Sequence, residues 1–283
     1  MSEIVAFFAR FASPAPGAEQ TAYLSIDVWQ LALAAVFVLI AGVFSVVYHL
    51  RLEKDLAIGT VRAFAQLFAV GYILNIVFHI PSIWLVMGMY TATAWFATSI
   101  AQRRVSKTGV NILLPSFLAM LSSCFIVTSL VSGAVIQAHP WWAPQYFIPV
   151  GGMVAGNAMN ALSIALERFF SELRLRRGEV EALLCLGATP QEASESMFRA
   201  ALRAGMLNPI NAMMGVGLVT LPGMMTGQIL AGVSPVQAIR YQLVIVLMMT
   251  SASALSSFVV LRLVRRRCFN SGQALVRIAG PAS

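Results

Sequence analysis

The sequence predicts an all-α, polytopic membrane protein of about seven transmembrane helices, N-terminus outside and C-terminus in the cytoplasm, with a short cytoplasmic helix between helices five and six. Three observations carry this. Of 283 residues 59% are hydrophobic and 11% charged, with mean hydropathy +0.80, whereas a soluble domain carries roughly a quarter charged residues. Apolar runs of about 18 residues or more recur, each long enough to cross a hydrocarbon core of about 30 Å. All 19 lysines and arginines except Arg10 and Arg240 fall on one side of the alternation these runs create, and the positive-inside rule makes that side cytoplasmic.

Residues 1–25 read as an extracytoplasmic lead-in. Glu3 and Arg10 interrupt the apolar residues there, which departs from a cleaved signal, and Pro14, Pro16 and Gly17 favour loop. A permease-like membrane domain is expected over 26–267, with spans at 27–49, 62–80, 83–101, 111–136, 146–169, 207–232 and 236–262, and a cytoplasmic tail over 268–283. Ile80-Pro-Ser82 joins the second and third spans and Gly232-Val-Ser-Pro235 the sixth and seventh, so both pairs are tight hairpins free of basic residues. Arg51, Lys54 and Arg62 follow the first span, Arg103, Arg104 and Lys107 the third, and Arg262, Arg265, Arg266, Arg267 and Arg277 close the chain. Residues 137–145, with Trp141 and Trp142, form an outer loop whose aromatics suit the headgroup region. No repeat of 20–50 residues is present.

The longest polar interval, with 171–205 as its centre, has helical grammar. Glu179-Val-Glu-Ala-Leu-Leu-Cys-Leu186 is a short helix with acidic residues at its positive end and Gly187 as its stop. Thr189-Pro-Gln-Glu192 starts a second helix through a capping box with proline at the first helical position. Val180, Leu183 and Leu184 share one face, which wants an apolar partner in this chain or another.

Several functions are disfavoured. The net charge of +8 is spread in short clusters between apolar runs, a topology signal that gives no reason to expect nucleic acid. His49, His79 and His139 are scattered without a neighbouring acid, and no GxxxxGK[ST] loop is present, so no catalytic group and no ATP site are expected in this chain. Asp27, Asp55, Glu167 and Arg240 lie near span ends, leaving mid-span without the charges an ion-coupled transporter uses. Cys124 lies in an apolar run and Cys185 and Cys268 on the cytoplasmic side, so no disulfide is expected.

Glu181-Ala-Leu-Leu-Cys-Leu-Gly187-Ala-Thr189 resembles the Glu-Ala and Gly coupling motif of ABC transporter permeases. With Arg62-Ala-Phe-Ala-Gln-Leu67, Gly156-Asn-Ala-Met-Asn-Ala-Leu162, the run from Gly205 to Gly215, and Leu221-Pro-Gly-Met-Met-Thr-Gly227, the chain resembles the FetB/YbbM family of permeases along nearly its whole length. The resemblance implies a permease subunit in the cell inner membrane, two copies working with a FetA-like ABC ATP-binding subunit that binds ATP and magnesium, in a system linked to iron export. Plant relatives are associated with aluminium tolerance and nucleotide-sugar movement. Glu181, Ala182, Leu183, Leu184, Gly187, Ala188 and Thr189 then form the coupling contact with the ATPase.

Asn157, Asn160, Asn208, Asn211, Met213, Met214, Met224 and Met225 place polar and soft groups in the spans flanking that contact, and Pro222 is expected to kink the sixth span in mid-helix. They are candidates for a substrate path; methionine is also a core filler and asparagine a helix-bonding residue, and both readings stand on the sequence. The motifs Gly152-x-x-x-Gly156 and Gly223-x-x-x-Gly227 predict close helix approach. A membrane scaffold that docks a soluble partner is the alternative function, and it requires Asn157, Asn160, Asn208 and Asn211 to be sealed in helix contacts.

Overall fold

The computed structural model describes residues 28–49, 52–80, 82–103, 113–270 and 272–275. The lead-in 1–25, the basic cluster Arg104 to Lys107 and the end of the tail fall outside the described residues. The described chain is helical with no named strand; two isolated bridges, Val216 with Thr220 and Phe269 with Leu275, mark tight turns. Five of its helices are long and apolar enough to cross a membrane. The chain forms two compact units.

The smaller unit is a helical hairpin, α1 (Val28–Val47) and α2 (Glu53–His79), together with 230–232. Ser45, buried near the end of α1, organises the turn: its hydroxyl donates to Glu53 Oε1 at 3.0 Å and accepts from Leu52 N at 2.9 Å. This corrects the start of the second span. The polar residues Glu53, Lys54 and Asp55 read as loop by hydropathy, yet they form the first turn of α2, where two carboxylates favour the positive end of the helix dipole.

The larger unit contains α3 (Ile83–Arg103), α4 (Leu113–Leu130) with a π-helical end (Val131–Val135), α5 (Pro144–Leu175), α6 (Arg177–Cys185), α7 (Pro190–Ala193), α8 (Glu195–Gly215), most of α9 (Gly223–Leu230) and α10 (Pro235–Arg267). The centre is α5, which packs against α3, α4, α8 and α10. Phe147, Val154, Leu162, Leu166, Phe169, Phe170 and Leu173 are essentially inaccessible along it. Its small residues let neighbours come close: a Cβ on Gly151 would lie 2.5 Å from the Tyr90 ring, and one on Gly205 of α8 would lie 2.7 Å from the Ala161 carbonyl oxygen. Van der Waals contact at such crossings is what holds helices together where lipid removes the hydrophobic drive. The predicted motifs are different places: a Cβ on Gly152, Gly156, Gly223 or Gly227 meets nothing within 4 Å in this chain.

Helices α5 and α10, with 32 and 33 residues, overrun the expected spans 146–169 and 236–262. Their length, about 48–50 Å, exceeds the roughly 30 Å hydrocarbon core, and the stretches beyond the expected spans carry Arg174 and Arg265 to Arg267. Hydropathy reports only the part of a helix that needs lipid; the hydrogen-bond ladder continues beyond it.

The larger correction concerns the sixth span. It is not one kinked helix over 207–232. Helix α8 begins in the polar segment, runs to Gly215, and the chain unwinds through 216–222 before α9. Gly217 has φ +87°, and Gly217 N donates to the Thr220 carbonyl at 2.9 Å. Pro222 lies in this break, just ahead of α9, and its carbonyl accepts from Thr226 N at 3.1 Å. The proline inside the helix is Pro209, buried in α8, which removes the ladder bond to Gly205.

At the other end of the larger unit, Tyr90, Phe125, Trp141 and Phe147 form an aromatic cluster with ring centroids 5.3–6.3 Å apart. Trp141, expected in an outer loop, has its ring edge packed into this cluster and keeps 39% of its surface exposed.

Candidate functional site

Two places in the larger unit bring predicted residues together. The first is the turn between α6 and α7. Leu183 and Leu184 carbonyls accept from Ala188 N and Gly187 N, both at 3.0 Å, and Gly187 takes φ +90°, so the α6 terminus closes in the left-handed conformation that glycine supports. The expected capping box is present: Thr189 Oγ1 accepts from Glu192 N at 3.3 Å, while Glu192 Oε2 accepts from Thr189 N at 2.8 Å. The second helix is interrupted where one continuous helix was expected. Ser194, fully buried, donates its hydroxyl to the Pro190 carbonyl at 2.6 Å and separates the single turn α7 from α8. A serine bonding back to the carbonyl four residues earlier competes with the helical ladder.

The apolar face of α6 divides between two partners. Val180 is fully buried within the unit; Leu183 and Leu184 are half-buried, and Glu181, Ala182 and Gly187 are exposed with Leu186, whose side chain is 84% accessible. Ion pairs stiffen the base of this projection: Arg176 Nε donates to Glu179 at 2.7 Å and Arg177 Nε to Glu181 at 2.6 Å. Hydrogen bonding from Arg176 holds the Glu179 carboxyl below the usual range, and the bond from Thr189 N does the same for Glu192.

Behind the turn, Glu195 at the start of α8 joins α10. Its carboxylate accepts from Arg199 at 2.9 Å and from Arg265 at 2.8 Å, and both bonds lower its pKa. The Arg265 side chain is 11% exposed, lies 4.4 Å over the Phe198 ring, and keeps Nε without a partner. The projection is thereby fixed to the helix that ends the larger unit. Sequence spacing could not pair residues 70 positions apart.

The second place is a cavity of about 200 Å³ bounded by α5, α8, the unwound stretch and α10. Asn157, Met213 and Pro222, three of the predicted path residues, line it with Thr220, Gln242 and Met249. Asn157 Nδ2 donates to the Met153 carbonyl at 2.9 Å and to Met249 Sδ at 3.0 Å. Gln242 is 7% exposed, and its Oε1 has no partner. An adjoining pocket, also about 200 Å³ and sharing Gln242 and Val246, is lined by Met225 and Gly217. Asn157 and Met249 fall midway along their expected spans. Unwound backbone within a membrane is tolerated where it is buried in protein or lines a cavity, and Val216, Thr220 and Pro222 of this stretch do line one.

The remaining candidates lie elsewhere. Asn160, Asn208, Asn211 and Met214 are exposed on α5 and α8, and Met224 is half-buried on α9 outside both pockets. Gln242 and Met249 lie on α10, away from the spans that flank the polar segment, and an amide inside this 33-residue helix is the signal the sequence carries for them.

These features define a multi-pass α-helical membrane protein with a helix broken beside a largely apolar cavity and a capped, exposed turn between α6 and α7. The chain belongs to the uncharacterised protein family UPF0014, whose profile matches residues 28–269. It is 38% identical over 76% of its length to the UPF0014 membrane protein slr1647 of Synechocystis, covering 83% of that protein. Identity is 36% over 83% with the UPF0014 membrane protein YjkA of Bacillus subtilis, covering 92% of it. It is 34% over 87% with the probable iron export permease protein FetB of Escherichia coli, covering 93% of it. No solved structure matches the chain.

Proposed function

We propose that this chain is the permease subunit of an ABC transporter, exporting a metal ion or another small polar solute, with ATP hydrolysis in a separate ATP-binding subunit. The observation that carries the proposal is the α6–α7 turn: a rigid, capped projection anchored by Val180 that leaves Glu181, Ala182, Leu186 and Gly187 exposed. An exposed leucine at the tip of an ion-paired turn suits an apolar groove in a partner. The similarity to a protein named as a probable iron export permease supports the same reading.

In this reading the chain crosses the membrane seven times, with α8, the break and α9 as the sixth crossing, its N-terminus outside and its C-terminus inside. Two permease copies assemble with two ATPase subunits, and ATP and magnesium bind only to the partner. Asn160, Asn208 and Asn211 are exposed in the single chain, and because amides facing lipid are costly, in this reading they face an aqueous path. Closure of the ATPase pair pushes the turn, and α8 carries the displacement directly to the break at 216–222.

The test is ATPase activity of the chain co-purified with its candidate ATP-binding subunit in nanodiscs. Substrate-stimulated hydrolysis that is lost on replacing Leu186 with aspartate is expected. A complex that forms and hydrolyses ATP equally well with Leu186→Asp would refute docking at this turn.

A further inference from the structure

We propose that the cavity between α5, α8 and α10 is a binding site for a soft monovalent metal ion of the Cu(I) class, held by the thioethers of Met213 and Met249 and the amide oxygen of Gln242. Its meaning as a transport site rests on the permease reading; the binding itself does not.

The donor set decides the class of ion. Thioether sulfur selects soft metals, whereas ferrous and ferric iron favour imidazole and carboxylate ligands. Among the described residues no three histidine, cysteine, aspartate or glutamate side chains gather to hold a metal, and this cavity is lined by neutral groups alone. Desolvation cost rises with the square of the charge, so a divalent ion would pay about four times what a monovalent one pays, with no anionic ligand to repay it. A monovalent soft ion is offered the thioethers of Met213 on α8 and Met249 on α10, both of which line the cavity.

Gln242 supplies an independent pointer. A side chain more than nine-tenths buried with an unpartnered carbonyl oxygen carries an unmet desolvation cost, and this oxygen belongs to a residue that lines both the cavity and the adjoining pocket. Asn157 Nδ2 donates to the Met249 sulfur, which fixes the thioether at the cavity wall and leaves its second lone pair for an ion. Volume points the same way. A cavity of about 200 Å³ has room for an ion with a few waters.

The experiment is equilibrium binding of Ag(I), a redox-stable soft monovalent ion, to the purified chain in nanodiscs without any ATPase. Free thiols bind such ions more tightly than thioethers do, so all variants carry Cys185→Ser with Cys124→Ala and Cys268→Ala. One equivalent of Ag(I) is expected, weakened about tenfold or more by Met213→Leu and by Met249→Leu, and unchanged by Met214→Leu, whose side chain is exposed beside the first. X-ray absorption should show sulfur neighbours that disappear in the double variant. Ag(I) affinity indifferent to Met213→Leu and Met249→Leu, or Fe(II) binding more tightly than Ag(I) at the same residues, overturns the proposal. Helical circular dichroism and thermal unfolding of each variant separate lost binding from lost fold. Because no ATPase is present, failure of ATPase docking leaves this result standing, and failure here leaves docking standing.

Discussion

Adding one methyl group at Gly205 tests the central packing of the larger unit. The Cβ of Gly205→Ala would stand 2.7 Å from the Ala161 carbonyl oxygen and 2.9 Å from the Ala165 Cβ, where ordinary contact begins near 3.4 Å. Both obstacles belong to the α5 backbone or to its shortest side chain, so relief requires α5 and α8 to separate by about 0.7 Å, the gap between 2.7 and 3.4 Å. Overpacking of this kind costs about 1–3 kcal/mol, and the better helix propensity of alanine returns about 1 kcal/mol. The net loss is up to about 2 kcal/mol. Gly156→Ala on α5 is the matched control, because its Cβ meets nothing within 4 Å and only the propensity gain of about 1 kcal/mol applies. Thermal unfolding in nanodiscs should rank Gly156→Ala at or above the wild type and Gly205→Ala below it. Since α8 links the projecting turn to the broken span, Gly205→Ala should also lower substrate-stimulated ATPase activity in the complex. Equal or greater stability of Gly205→Ala relative to Gly156→Ala would refute the tight crossing.

Gly187→Val places a β-branched residue at φ +90°, costing about 1–2 kcal/mol locally; membrane insertion should persist while coupled ATPase activity falls, and unchanged coupling would remove Gly187 from the docking turn. Thr189→Ala deletes the capping box and should cost about 1 kcal/mol, read as faster hydrogen exchange over 186–194. The Glu192 carboxyl has a lowered pKa in the folded turn, so its stabilisation is present at neutral pH and is lost as pH falls through the folded value; amide protection in the wild-type turn, corrected for the intrinsic exchange rate, should fall with it, and the Thr189→Ala variant should show less of this dependence. Replacing Arg265 with alanine removes the Glu195 bond and the contact over Phe198, a loss of about 1–2 kcal/mol, which Arg265→Lys should restore only in part when unfolding is measured. Gln242→Leu deletes a buried oxygen without a partner and should raise stability by about 1 kcal/mol while lowering transport; reduced stability would mean that the amide serves packing.

The α6 terminus and the capping box were legible because their causes are local. Gly187 and the Thr189-Pro-Gln-Glu192 run select their conformations within five residues, and the structure places each as its neighbours require. Pro222 was misplaced for the same reason in reverse: proline marks a disturbance of the helix, but whether the helix kinks or ends depends on what can satisfy the freed backbone. Here Gly217 reverses the chain and the Thr220 carbonyl accepts its N–H, so the helix ends. The Gly152 and Gly223 motifs mark small residues without naming what faces them, and the closest approaches fall at Gly151 and Gly205.

Membrane residence, the apolar helices and the one-sided placement of basic residues follow from composition and order along the chain, because transfer free energy into lipid is a sum over neighbouring residues. The pairing of Arg265 with Glu195, the meeting of Asn157 with Met249, and the gathering of Met213 and Gln242 around one cavity were decided by tertiary structure. Their partners lie on helices far apart in sequence, and which faces of those helices meet is set by side-chain packing at the crossings, a property of shapes in three dimensions that hydropathy and spacing do not encode.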